Sequence, residues 1–136
     1  MLKQVLGSLL LILCMGFSQA SYAKDGESAD GYAYYGFEPD IVTNYISEGK
    51  KIGFIRVTME IMVKSSEHIA IIEHHSPLLR AEIVEILGSK SEEQVKSVLG
   101  KKEIRDDCFE VINELLKRET GQELAVSLLF TKYIYH

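Results

Sequence analysis

The chain has 136 residues, 46% hydrophobic and 26% charged, with 15 basic against 20 acidic residues and a net charge of −5. That length suits one packed domain. The acidic balance excludes a partner bound through general basicity, nucleic acid above all. Two cysteines are too few for a disulfide-stapled mini-protein.

The first residues stand apart. Lys3 is the only charge before Lys24, Val5 to Phe17 is nearly all apolar, and the stretch to Ser21-Tyr22-Ala23 turns small and polar. A short positive region, an apolar run and a small-x-small end describe a signal peptide over 1–23. The run is short of the roughly 20 residues of a membrane helix. Stretched to Ala23 it still serves as an uncleaved anchor, so both readings stay open. Cys14 follows Leu13, where a lipoprotein cysteine would follow a small residue. Cleavage leaves Cys108 as the only thiol and no internal disulfide.

Residues 24–36 are rich in Gly, Ser, Asp, Ala and Tyr and read as a linker or extended arm. Its tyrosines, Tyr32, Tyr34 and Tyr35, fit packing at a strand entrance or an aromatic partner-binding patch. Phe37 to Ile46 is the first expected strand, with Pro39 at its start or on an edge. Ser47 to Lys51 is a turn. Ile52 to Lys64 alternates most clearly. Ile55, Val57, Met59, Ile61 and Val63 share one face; Phe54, Arg56, Thr58, Glu60, Met62 and Lys64 share the other. One face is buried and the other partly wet.

A helical block follows. Glu67 to His75 is expected as a short helix, ended by His74 and His75. Ser76 and Pro77 then read as a cap and first-turn proline, opening a second helix to Leu87, with Gly88 as terminator. Ser91-Glu92-Glu93-Gln94 is a capping box. A long helix is expected from about Lys101 to Glu119, with Ile104, Cys108, Val111, Ile112, Leu115 and Leu116 as its stripe. Glu123 to Tyr135 is the last strand, placing Leu124, Val126, Leu128 and Phe130 on one face. Two strands, helices and a strand make an α+β domain: a small antiparallel sheet of about three strands with helices on one face.

The chemical readings are weak. Adjacent residues on a helix point about 100° apart, so His74 and His75 cannot close on one ion from one face. His68 and His75 lie about 10 Å apart along a helix axis, and no H-E-x-x-H spacing occurs. A metal-dependent enzyme built on His74 and His75 is therefore the least favoured reading. Cys108 lies on an apolar stripe and reads as a buried thiol, or as half of an intermolecular disulfide. No catalytic, metal or cofactor-binding residues are assigned.

Several patches carry a resemblance. Phe37-Glu38-Pro39 with Ile41-Val42-Thr43-Asn44, then Phe54 to Glu60, then His75-Ser76-Pro77-Leu78-Leu79-Arg80 follow in order. Gly100-Lys101-Lys102 with Ile104-Arg105, and Leu128 to Tyr133, complete the series. Over roughly 36–136 the chain resembles the flagellar basal-body-associated FliL family. The resemblance implies a periplasmic domain at the inner membrane, similar to the stomatin/prohibitin fold. It also implies no catalysis and no cofactor. As partners it implies other copies of the chain in a ring and flagellar stator units of MotA/MotB type. The implied role is support of rotation, swimming, swarming and chemotaxis. Family members usually carry a cytoplasmic segment and a full membrane helix, so a signal-like N-terminus implies a soluble periplasmic variant. The rival reading is a periplasmic stomatin-like scaffold or binding module unrelated to flagella. Candidate contact residues are Tyr32, Tyr34 and Tyr35 on the arm, Phe54, Arg56, Thr58 and Glu60 on the wet strand face, and Arg80.

Overall fold

The computed structural model describes residues 31–49 and 51–136. Its elements run β1 (Ala33–Gly36), β2 (Ile41–Tyr45), β3 (Gly53–Val63), α1 (Glu67–Gly88), α2 (Glu92–Lys96), α3 (Val98–Thr120) and β4 (Ala125–Tyr135). The leader expected over 1–23, and the arm as far as residue 30, lie outside the described residues. No described helix is long and apolar enough to cross a membrane.

β3 is the centre of an antiparallel sheet. β4 pairs with it from Ile55 to Val63, so β1 and β2 share its other edge, β1 along Glu60–Val63 and β2 along Gly53–Val57. The sheet has four strands but is three strands wide. The expected first strand at 37–46 is in fact a longer strand, starting at Ala33 and interrupted at 37–40. Four residues there lie opposite Thr58 and Met59, and the Glu38–Pro39 peptide is cis. Phe37 keeps the line by donating its N–H to the Met59 carbonyl at 3.1 Å.

The alternation of β3 does what its sequence implies. Ile55, Val57, Met59, Ile61 and Val63 are fully buried. They meet Ile72, Leu79, Ile83 and Leu87 of α1, with Ile104, Cys108, Ile112 and Leu116 of α3 completing one core. Fully burying such a side chain contributes about 2 kcal/mol. Both large helices therefore lie on one face of the sheet, and the α+β class holds.

The break expected at Ser76-Pro77 does not occur: α1 runs through Pro77 without interruption. Proline inside a helix costs about 3 kcal/mol. Here Pro77 is exposed, and so is Glu73, whose carbonyl loses its i+4 donor; water can satisfy it. Ile72 and Leu79, seven residues apart, stay in phase across the proline and are both buried. Their burial, with that of Ile83 and Leu87, offsets the proline. His74 and His75 consequently sit mid-helix, not at a helix end. The His75 ring nitrogen Nδ1 lies 2.9 Å from the Ile71 carbonyl one turn back.

The next helices follow their caps. Ser91 accepts from the Gln94 N–H while Gln94 returns a bond to the Ser91 N–H, the expected capping box. Ser97 then caps α3 by accepting the Gly100 N–H at 3.0 Å, so α3 starts at Val98, three residues before the expected Lys101. Gly100 is enclosed: a Cβ there would stand 2.0 Å from the Gln94 carbonyl oxygen.

In β4 the expected face is only partly right. Two bulges, at Val126 and Thr131, each skip a residue against β3. Leu128 and Phe130 face the helices with Ile61 and Met59, but Val126 is displaced from that line, and Tyr133 and Tyr135 rejoin it beyond Thr131. The Tyr133 hydroxyl donates to the Val95 carbonyl at 2.8 Å.

Candidate interaction surface

The helices cover one face of the sheet and leave the other to solvent. Register builds that outer face row by row. At one end Val42, Arg56 and Ile134 lie side by side, with Phe54 in the adjacent row beside Asn44. At the other end Tyr34 lies beside Met62, which pairs with Ser127, and Glu60 stands between Gly36 and Leu129. Tyr34, Val42, Phe54, Leu129 and Ile134 are 41% to 52% exposed, although each is large and apolar. Five such residues on one open sheet face make a patch with protein-contact character. A shallow depression of about 290 Å³ lies among Val42, Phe54, Arg56 and Ile134.

A polar bridge divides the apolar ends. Thr58 donates its hydroxyl to Asp40 Oδ1 at 2.7 Å, and Lys132 Nζ stands 3.6 Å from Asp40 Oδ2. The Thr58 hydrogen bond, the largest effect, outweighs the opposing effect of burial and, with the Lys132 and Arg56 charges, holds the Asp40 carboxyl below its usual range. The bridge ties the interrupted edge to both neighbouring strands and puts opposite charges at the middle of the face.

The candidate residues divide by the parity of their strands. Tyr34, Phe54, Arg56, Thr58 and Glu60 come together on the outer face. Tyr35, one residue on, turns inward and meets the Phe37 ring edge-on at 5.3 Å between centroids. Tyr32 precedes β1 and is half-buried. Arg80 works within the chain: its Nη2 donates to the Pro39 carbonyl at 2.7 Å, and its guanidinium lies 5.7 Å from the Phe37 ring centroid. It clamps α1 to the interruption between β1 and β2. Val42, Leu129, Ile134, Asp40 and Lys132 were missed in the sequence. They reach this face only through strand pairing, and the Thr131 bulge sets Leu129 and Ile134 five residues apart, which no period-two count places on one side.

Among the described residues no group of three or more His, Cys, Asp or Glu is arranged to hold a metal ion. The His74 and His75 rings lie edge to face, 4.9 Å between centroids. Cys108 is fully buried. Desolvation first, and then the Asp107 charge, push its thiol up to about 12, with Lys90 opposing. A thiol so enclosed is not available to a neighbouring chain.

A search of curated proteins finds no match to the chain. The family model described as flagellar basal body-associated protein FliL matches residues 34–135. The match opens at Tyr34 in β1 and closes at the last residue of β4, so it spans every described helix and all of the sheet but Ala33. The family is a structural component of the flagellum and is not known as an enzyme. The chain belongs to the FliL family of flagellar basal-body-associated proteins.

Proposed function

We propose that the domain is a non-enzymatic part of the flagellar motor on the periplasmic side of the inner membrane. It is carried there by the apolar segment at 1–23, acting as signal or anchor. There it self-associates into a ring and contacts stator units of MotA/MotB type, supporting rotation, swimming and swarming under load, and chemotaxis. Family membership supports the place of work. The single structural observation that supports work by contact is the uncovered sheet face, apolar at both ends and charged in the middle. Scattered apolar residues on a surface are ordinary; five of them gathered at the two ends of one open sheet face support a docking role for it.

The test is motility of a deletion strain in media of rising viscosity, complemented by the native chain or by Phe54→Glu/Ile134→Glu. The native gene is expected to restore swimming speed at high viscosity. The double variant, whose substituted side chains are exposed, is expected to fold and to fail. A deletion strain that swims and swarms normally at every viscosity, or a fluorescent fusion spread evenly around the cell, sinks the proposal.

A further inference from the structure

A second surface lies along the far edge of the sheet. β4 has β3 as its only strand partner among the described residues. Register decides which of its backbone groups remain. Phe54 and His136 exchange N–H···O bonds, at 2.9 and 3.2 Å, so every second residue of β3 from Phe54 to Met62 turns its backbone toward β4. Their partners Ile134, Lys132, Leu129 and Ser127 face inward. The backbone N–H and C=O of Leu128, Phe130, Tyr133 and Tyr135 therefore face out of the sheet.

Ala125 shows what a closed edge looks like. Asn113 of α3 donates Nδ2 to its carbonyl at 2.9 Å and accepts its N–H on Oδ1 at 3.0 Å. No described side chain bonds the outward backbone groups of Leu128, Phe130, Tyr133 or Tyr135; the Tyr45 hydroxyl reaches only the His136 carbonyl, which faces β3. The opposite edge is less regular: it is interrupted at 37–40, and beyond β2 the Ile46 N–H donates to the Lys90 carbonyl at 2.8 Å. An open edge is a template for pairing.

Beside that open stretch lies a groove of about 410 Å³ lined by Val98, Lys101, Lys102, Arg105, Leu129 and Phe130. Three cations and three apolar side chains form it, with no carboxylate in the lining, on a chain of net charge −5. Within that lining Val98 is 90% exposed. Lys102 and Arg105 reach Asp106 at 2.7 and 3.1 Å, and Lys101 Nζ lies 5.0 Å from the Tyr133 ring centroid. Each still has donors to give, since an ammonium carries three and a guanidinium five.

We infer that this edge accepts an extended acidic segment of a partner protein, which adds a strand along Leu128–Tyr135 and sets its carboxylates against Lys101, Lys102 and Arg105. Main-chain bonds supply affinity, and the groove selects acidic over basic side chains. A second copy paired symmetrically through this same edge fits less well. Antiparallel pairing of two β4 edges would match Leu128 with Tyr135 and Phe130 with Tyr133, and bring the two Lys101 clusters together at the symmetry axis. A lipid surface fits less well too, because hydrocarbon leaves the edge unpaired. The inference does not depend on the flagellar role.

The experiment uses the full chain and two labelled nonapeptides, one alternating Val and Glu, the other Val and Lys. Fluorescence anisotropy is expected to show binding of the glutamate peptide alone, weakening with salt. In Lys101→Glu/Lys102→Glu, with an unchanged melting temperature, the affinity is expected to fall at least about tenfold. Hydrogen exchange with the peptide bound is expected to slow at 128–135 and not at 33–45. Equal binding of both peptides, no binding of the glutamate peptide at millimolar concentration, or protection at β1–β2 overturns the inference. So does concentration-dependent self-association that protects 128–135 without peptide.

Discussion

Two glycine substitutions of the same kind have opposite expected signs. Replacing a helical glycine by alanine ordinarily stabilises by up to about 1 kcal/mol, because the backbone loses less freedom on folding. At Gly88, the last residue of α1, the new Cβ meets nothing nearer than the Asn44 carbonyl oxygen at 3.7 Å, an ordinary contact. Gly88→Ala should therefore stabilise by a few tenths to about 1 kcal/mol. At Gly100 the new Cβ would stand 2.0 Å from the Gln94 oxygen, 2.6 Å from its carbonyl carbon and 2.7 Å from its Cα. All three are backbone atoms, so no side chain can swing aside. The α2–α3 junction must open, straining the Ser97 bond to the Gly100 N–H and displacing buried Val95 from beneath the Tyr133 hydroxyl. Overpacking of this kind costs roughly 1–3 kcal/mol or more, which exceeds the propensity gain. Net destabilisation of about 2 kcal/mol lowers the melting temperature by roughly 8–16 °C in a domain of this size. Thermal unfolding followed by far-ultraviolet circular dichroism decides it. A Gly100→Ala protein as stable as its parent, or two shifts of the same sign, would refute the enclosed junction.

Arg80→Met keeps most of the side-chain volume but loses the bond to Pro39 and the contact with the Phe37 ring; about 1 kcal/mol of stability should go, read by denaturant midpoint at unchanged slope. Asp40→Asn tests the polar bridge through pH. A carboxyl held below its usual range contributes stability that is present above its unfolded value and lost as pH falls through the folded one. The native chain should therefore lose an increment on acidification below the ordinary carboxylate range that the variant lacks, a small one because the group faces water; parallel pH–stability curves would remove the bridge from the account. In a Cys14→Ser background, the Cys108 thiol should resist an aromatic disulfide reagent at pH 8 and react at the rate of global opening, rising with denaturant. Rapid labelling of the native protein would place that thiol at the surface.

What could be read from the sequence was whatever one element settles by itself. The alternation of Gly53–Val63 marked both faces of the central strand, since side chains on a strand alternate whatever it pairs with. The capping box at Ser91 and the stripe from Ile104 to Leu116 are likewise local, and they located α2 and most of α3. The patches from Phe37 to Tyr133 carried enough order to point to the family. Other features belonged to pairings between elements, and only the tertiary structure decided them. Pro77 ends helices in isolation, but the phase of Ile72 and Leu79 across a common core keeps α1 whole. Bulges opposite β3 moved Val126 off its expected line and carried Ile134 to the outer face with Leu129. Arg80 serves as a clamp within the chain because folding brings the Pro39 carbonyl to it. Whether an edge is open or capped was beyond any reading of the chain, because the donor that closes Ala125 lies on another element. Local periodicity fixes which way a side chain points within its element; register and packing fix what it meets there.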